Sequence, residues 1–357
     1  MLIDGHGLAF RAFHAVPMLN SRDGTPTNVI MGFMNMLERL EREHIRAPRH
    51  EILPQGTGSV IQQTCSSDEV HKIYRSNTKE TIMKTTLKES KNSKKKIEYY
   101  QASLFEEPEQ HPEPNVEKTP CEIAGVTIVF DAPGKTFRHD IYPEYKQTRK
   151  PTPPEFKPQI PLLIELLKSL GYPVVMIEGV EADDTIASAS RMYESMVVSS
   201  DKDLLQILRP GVEVLRPVKG VSAFSYYNVA TFTEEYGFSP ESMPDYLALL
   251  GDTVDNLPGV PGIGEKTALQ LIREYKTIEN ILLNIENLKP SHKKNIIDNK
   301  EQVYASRELN RLKYDVELDL SLFQPTEPDY AAAISLCERL DLRQICNRII
   351  ILQQKNI

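Results

Sequence analysis

The chain has 357 residues, a formal net charge of −8, and hydrophobic and charged fractions of 40% and 26%, proportions of a soluble globular protein with room for two domains and accessory segments. No run approaches the roughly 20 apolar residues that span a bilayer, and no basic region followed by an apolar stretch opens the chain, so neither a membrane span nor a secretion signal is expected and the location reads as cytoplasmic. The cysteines (Cys65, Cys121, Cys337 and Cys346) form no CxxC pair, which excludes a zinc site and a disulfide framework of the usual spacing. The acidic sum does not exclude a nucleic-acid partner, because net charge says little about a local surface.

Met1–Asp4 reads as a short buried strand ending in an acid, and a helix follows near Thr27, with Ile30, Phe33, Met34, Leu37 and Leu40 at helical spacing. From residue 48 to 119 the pattern breaks down. Lysines cluster between Lys84 and Lys96 and glutamates between Glu106 and Glu117, a composition that cannot offset chain entropy by burial, so a mostly disordered insertion is expected. Order returns in Gly125–Asp131, an apolar run suited to a strand covered on both faces. Thr152-Pro-Pro-Glu155 looks like a capped helix start, with the helix running through Leu162–Leu170 to Gly171. Val174–Ile177 reads as a strand, Ala182–Met192 as a helix, Met196–Ser199 as a strand, and a helix begins near Asp203. This alternation implies a parallel sheet covered on both sides. Beyond about residue 228 the pattern is almost wholly helical. The expected division is 1–217 for the sheet domain with the insertion 48–119, 218–320 for a helical domain, and 321–357 for a C-terminal helical segment.

Acids recur at strand ends. Asp4 and Asp131 end the first two strands, Glu181, Asp183 and Asp184 follow the third, and Asp201 and Asp203 follow the fourth. In an open parallel sheet the carboxyl ends of the strands share one edge, where such folds bind ligands. Like charges that close disfavour one another, and no run of basic residues accompanies these acids in the sequence. Hard divalent cations with oxygen ligands would balance them. Any one of the acids alone would be read as a helix cap; their repetition favours metal. Asp252 and Asp255, in Gly251-Asp-Thr-Val-Asp-Asn256, could extend the cluster from the helical part, though alone they read as a turn.

Downstream, Gly259, Gly262 and Gly264 permit a tight turn whose N–H groups can face a phosphate at a helix start, with Lys266 adding charge. Upstream, Arg138, Tyr145, Lys146 and Arg149 lie just after Asp131, a basic and aromatic stretch suited to gripping and stacking a nucleic-acid strand end. An ordinary helical hairpin and a solvated charged face are the bland readings of these two segments.

Together, Ile3-Asp-Gly-His-Gly-Leu-Ala-Phe-Arg-Ala-Phe-His14, Val129-Phe-Asp131, Tyr145-Lys-x-x-Arg149, Glu181-Ala-Asp-Asp184, Asp201-Lys-Asp203, Gly251-Asp-x-x-Asp-Asn256 and Gly259-Val-Pro-Gly-Ile-Gly-Glu-Lys266 closely resemble the 5′–3′ exonuclease domain of bacterial DNA polymerase I, within the flap endonuclease family. The resemblance covers nearly everything except the insertion. It implies a PIN-like parallel-sheet domain followed by a helical domain with a helix–hairpin–helix variant. It also implies a two-metal hydrolysis of DNA and RNA-primer phosphodiesters at 5′ ends, flaps, nicks and gaps, in replication and repair within the bacterial nucleoid. By that analogy Asp4, Asp131, Glu181 and Asp183 form one metal group and Asp184, Asp201, Asp203, Asp252 and Asp255 the other, holding Mg²⁺ or Mn²⁺. Lys146 and Arg149 match the residues that steer the scissile phosphate, and the Gly259–Lys266 hairpin matches the element that holds duplex phosphates, often with K⁺.

Three departures accompany the likeness: Val254 where family members commonly carry Ser, a shortened stretch between Asp184 and Asp201, and the insertion at 48–119. Within the insertion, Gln101, Leu104 and Phe105 resemble the pentapeptide that docks in the bacterial sliding clamp. A polymerase domain in a longer parent chain is a further expected partner. The competing readings are an RNA-directed ribonuclease and a non-catalytic DNA-binding scaffold; no family carboxylate has been lost, which disfavours the scaffold.

Overall fold

The computed structural model describes residues 1–44, 125–219 and 223–355. The expected insertion 48–119, including Gln101, Leu104 and Phe105, and also Cys65 and Cys121, lies outside the described residues. Among the described residues no helix is long and apolar enough to cross a membrane.

The chain opens with β1 (Leu2–Asp4) and α1 (Gly5–Ala15), then α2 (Asn28–His44). After the undescribed stretch come β2 (Thr127–Val129), α3 (Phe137–Ile141), α4 (Gln159–Ser169), β3 (Val174–Val175), α5 (Ala182–Met192) and β4 (Ser195–Val198). A 3₁₀ turn, Asp203–Ile207, leads into β5 (Val212–Lys219) and β6 (Ala223–Tyr227). The sheet has six strands in the order β3-β2-β1-β4-β5-β6. The first five run parallel and β6 runs antiparallel to β5.

The wholly parallel sheet expected from the sequence is therefore corrected at one edge. Between Lys219 and Ala223 there is no room for the dozen or more residues of a crossover, so the strand that follows β5 must return antiparallel. Both strands went unread because residues 212–227 interrupt the strand–helix alternation used to find the others. The expected boundary at 217/218 falls inside β5.

Side chains alternate across the sheet. Leu2, Val129, Val197 and Val214 face one core, which is continued by α5 and the helices beyond β6. Ile3, Ile128, Val198 and Leu215 face the other, formed with α1, α2, α4 and the last two helices. Both faces are thus covered, as a mostly parallel sheet requires. The helices beyond β6 are α6 (Val229–Tyr236), α7 (Met243–Leu250), α8 (Glu265–Tyr275), α9 (Ile278–Leu283), α10 (Pro290–Asp298), α11 (Lys300–Asn310), α12 (Tyr330–Arg339) and α13 (Arg343–Lys355). The segment from 321 onward closes the α2/α4 face of the sheet: Cys337, Leu340, Ile345 and Ile349 enter that core, and Arg348 reaches Asn35 and Glu38 on α2.

Helix α4 begins at Gln159 rather than at Thr152, with turns over 154–158. Pro158 lacks the N–H that a helix running from Pro153 would need, and it disfavours helical geometry at Lys157. The turn is used instead to bury Phe156, whose ring stacks on Phe10 at 4.0 Å.

Candidate metal centre

The first functional side chain is placed by a strand-to-helix junction. Asp4 ends β1 and caps α1, accepting a hydrogen bond from the Gly7 N–H at 2.8 Å and another from Ser199 Oγ at 2.8 Å. Glycine is required here for contact reasons: a Cβ on Gly7 would sit 2.1 Å from the Asp4 carboxylate, and one on Gly5 2.7 Å from the Phe130 ring. Burial pushes the Asp4 carboxyl up to about 6; the Gly7 and Ser199 hydrogen bonds oppose the rise and the charges of Asp131 and Asp201 add to it.

Asp131, just past β2, accepts from the Ala182 N–H at 2.8 Å, so the start of α5 holds it. His6 Nδ1 lies 3.2 Å from the Asp131 carboxylate and 3.2 Å from its backbone N, while its ring packs edge-on against Phe130 at 5.2 Å. Burial works to raise Asp131, but the hydrogen bonds from His6 and Ala182 and the charges of His6 and Lys146 outweigh it and hold the carboxyl at about 2.

Glu181 caps α5, and the next two acids diverge because consecutive helical residues point about 100° apart. Asp183 turns to the strand ends; burial, then Asp201, Asp4, Asp131 and Glu181, push its carboxyl well above the usual range. Asp184 turns inward and is fully buried. It receives Arg138 at 2.6 and 2.9 Å, the Lys313 N–H at 2.9 Å, and the Glu181 N–H at 3.1 Å.

Past β4, the Ser199 hydroxyl accepts from the Asp201 N–H, and Asp201 accepts from the Asp203 N–H at 2.9 Å. Asp203 is pushed well above the usual carboxylate range, by burial first and then by Asp201. Its Oδ1 is buried with no hydrogen-bond partner. A buried carboxylate oxygen left without a donor is costly, and a hard cation is the group that such an oxygen suits. The acids whose charge reaches it, Asp201, Asp252 and Asp255, are a donor set that fits a hard divalent cation.

Asp252 and Asp255 come from the loop after α7. Lys202 Nζ is 3.9 Å from Asp252, and Arg149 pairs with Asp255 at 2.6 Å. Lys146 Nζ meets Glu181 at 2.6 Å. Cations therefore do accompany these acids, from sites scattered in sequence that the fold gathers. As the side chains stand, no three His, Cys, Asp or Glu groups among the described residues are drawn together closely enough to hold one ion. Part of the reason is that Arg138, Lys146 and Arg149 draw Asp184, Glu181 and Asp255 toward themselves.

The structure thus brings Asp4, Asp131, Asp183 and Asp201 within reach of one another's charge, with Glu181 beside Asp183, and sets Asp203 within reach of Asp201, Asp252 and Asp255. It places Asp184 in the interior. Two residues expected to contact DNA are also interior: Arg138 is 2% exposed and Tyr145 5%. The Tyr145 hydroxyl lies 3.1 Å from Glu181 Oε2 and 3.2 Å from Asp255 Oδ2. Sequence reasoning missed His6, Gly7, Ser199 and Lys202. A signal existed for three of them, since each is adjacent to or inside a motif already singled out; Ser199 carried none.

The glycine hairpin sorts into three different roles. Gly259 passes against the α7 end so closely that a Cβ would meet Leu250 O at 2.2 Å and Gly251 N at 2.7 Å. Gly262 has φ +78°, the left-handed region, and Gly264 caps α8 with open space around it. Lys266 is exposed in the first turn of α8. The carbonyls of Pro258, Gly259 and Pro261 accept from Ser306, Gln302 and Asn295.

Fold and site together describe an α/β domain with an acidic edge, joined to a helical domain, and family comparison gives that class a name. The description "5′-3′ exonuclease, N-terminal resolvase-like domain" matches residues 1–87 and 117–237, and "5′-3′ exonuclease, C-terminal SAM fold" matches 238–331. The chain belongs to the 5′–3′ exonuclease family and is by that membership a nuclease domain. It is 32% identical to DNA polymerase I of Bacillus caldotenax over 90% of its own length and 29% of that protein's. It is 37% identical to the thermostable DNA polymerase I of Thermus thermophilus over 64% of this chain and 28% of that one. The chain therefore spans less than a third of the length of these relatives. In fold it is similar to the flap endonuclease of bacteriophage T5 solved as a complex with DNA and metal ions, with a TM-score of 0.52, 18% identity, and coverage of 99% and 98% of the two chains.

These matches correct the expected PIN-like architecture. The fold is that of the 5′-nuclease superfamily, with a resolvase-like first domain and a SAM-type helical domain, where a PIN-like sheet and a helix–hairpin–helix variant were expected. The PIN-like expectation came with the family resemblance; the strand–helix alternation itself implied only a parallel sheet covered on both sides. The family models leave residues 88–116 unmatched.

Proposed function

We propose that this chain is a structure-specific 5′ nuclease that hydrolyses DNA and RNA-primer phosphodiesters at 5′ ends and flaps. The observation that carries the proposal is that Asp201 bears both on the Asp4, Asp131 and Asp183 group and on Asp203, whose buried Oδ1 is orphaned. Asp4, Asp131, Asp183, Asp201 and Asp203 would hold divalent ions, Mg²⁺ or Mn²⁺, with Glu181, Asp252 and Asp255 contributing once released by their cations. Such ions, when bound, activate water and offset charge on the attacking and leaving oxygens. The phage endonuclease of the same fold, solved with DNA and metal ions, supports this reading.

The chain's own residues do the rest. His6 and the Ala182 N–H orient Asp131, and Gly7 and Ser199 orient Asp4. Lys146 and Arg149, now on Glu181 and Asp255, are placed to turn toward an arriving phosphate and stabilise its developing charge. The duplex would lie along the hairpin, with Lys266 and the Gly262–Gly264 turn contacting phosphates; K⁺ there would need carbonyls beyond those already taken by side chains. A sliding clamp bound through Gln101–Phe105, a polymerase domain in a longer chain and a cytoplasmic setting complete the proposal.

The test is cleavage of a 5′-labelled flap duplex with Mg²⁺ or Mn²⁺. Cleavage near the single-strand/duplex junction is expected, lost without metal and reduced by at least about 1,000-fold in Asp131→Asn and Asp201→Asn, the scale of losing transition-state charge stabilisation. A folded parent that binds flaps tightly and cuts none with either ion would favour the scaffold reading instead.

A further inference from the structure

Tyr145 sits where three segments meet. Its ring is enclosed with Leu257 and Leu309 and takes the His139 ring edge-on at 5.4 Å. Its hydroxyl is 3.1 Å from Glu181 Oε2 and 3.2 Å from Asp255 Oδ2. The other oxygen of each carboxylate faces a cation: Lys146 at 2.6 Å on Glu181 Oε1 and Arg149 at 2.6 Å on Asp255 Oδ1. Asp255 thus has one oxygen on Arg149 and one on the phenol, while Glu181 has one oxygen on Lys146 and the other shared by the phenol and Arg138 Nη1, 3.5 Å away. Glu181 comes from the start of α5 and Asp255 from the loop after α7, so the hydroxyl links the sheet domain to the helical one.

The residues around Tyr145 are tied to that same loop. The Lys146 N–H donates to Asp255 O at 3.0 Å, Asn256 Nδ2 to Glu144 O at 2.8 Å, and Thr148 Oγ1 to Thr253 O at 3.0 Å. Lys146 adopts φ +62° to make the turn. The segment that carries the phenol is therefore fixed to the loop that carries Asp255, and the hydroxyl reaches from there to Glu181.

We infer that Tyr145 is a positioning residue whose hydroxyl sets the placement of Glu181 relative to Asp255 for metal binding, and that it does not stack on a nucleic-acid base. The inference rests on the proposed nuclease reading. A phenol has one proton, so it donates to one carboxylate at a time and the other approaches its lone pairs. Hydrogen bonds to metal-ligating carboxylates orient them and contribute to affinity.

Tyr145→Phe separates the two roles, because phenylalanine keeps the ring and removes only the hydroxyl. The expected result has three parts: calorimetric Mn²⁺ affinity, measured without DNA, falls by about tenfold; kcat on a flap duplex falls by about tenfold with KM within about twofold; and the metal-free Tm moves by less than about 4 °C. Tyr145→Ala should add a loss of stability through the emptied ring site. Mn²⁺ binding and kcat equal to the parent's in Tyr145→Phe would overturn the inference, as would a defect confined to KM. A parent that itself binds no Mn²⁺ would sink the nuclease reading together with this one, whereas a parent that binds and a variant that matches it sinks this one alone.

Discussion

Arg138 places both arms of its guanidinium on the Asp184 carboxylate, at 2.6 and 2.9 Å, with neither side chain more than 2% exposed. The same guanidinium donates to the carbonyls of Leu309 and Arg311, and Asp184 accepts from the Lys313 N–H. The pair therefore ties the start of α5, which carries Glu181 and Asp183, to the chain leaving α11. Removing Arg138 would leave a buried carboxylate without its counter-charge. Arg138→Met should cost about 3–5 kcal/mol in denaturant unfolding, and Arg138→Lys should recover only part of it, because an ammonium cannot reproduce the fork. A loss below about 1 kcal/mol for Arg138→Met would contradict this account.

Gly7→Ala should damage the site more than the fold. The new methyl would occupy the position of the Asp4 carboxylate, displacing it from the Gly7 N–H. Loss of that cap costs about 1 kcal/mol, while a misplacement of about 1 Å at a catalytic group lowers rate about 100-fold. Flap cleavage and unfolding measured on one preparation would check the split.

The hairpin glycines should respond unequally. At Gly259 a Cβ meets backbone atoms of Leu250 and Gly251, which cannot give way. Gly259→Ala should therefore cost more than about 2 kcal/mol. Gly264→Ala meets open space and should cost about 1 kcal/mol through the weaker cap. Lys266→Ala should leave Tm unchanged, weaken duplex binding, and reduce the salt dependence by about one phosphate contact; equal melting losses in the two glycine variants would be the contrary result.

Cys337 should be silent in the native protein. Burial, with a smaller contribution from Cys346, pushes its thiol up to about 12. A folded-state value above the unfolded one means that deprotonation favours the unfolded chain. The contribution is constant below about pH 9 and is lost as pH rises from there toward 12. At pH 8, mass-spectrometric mapping should find Cys337 unlabelled by iodoacetamide until denaturant is added.

The motifs themselves were legible because their chemistry is local: an acid after a strand, a glycine beside it, a basic pair beyond. So were β1, α2, α5 and the helical character beyond residue 228, since each follows one period for long enough to be read. The β5–β6 hairpin was not, because its strands follow neither the spacing nor the polarity of the earlier ones. The flap endonuclease family was legible in the ordered motifs, and only the PIN-like label attached to its fold is overturned by the family models.

The sequence by itself determined that acids would gather at one end of a sheet, because strand direction and residue order leave the carboxyl ends no other place. Only the tertiary structure decided which acids face the cluster and which face a cation. Asp183 and Asp184 are neighbours in the chain, yet the rotation of about 100° between consecutive helical residues turns the first toward Asp201 and the second toward Arg138. Arg138 is 46 residues away in sequence, and nothing local records that meeting. Burial and long-range charge pairing are properties of the packed chain, so the roles of Arg138 and Tyr145 exist only once α5, the loop after α7 and the end of α11 have come together, and that of Ser199 only once β1 lies beside β4.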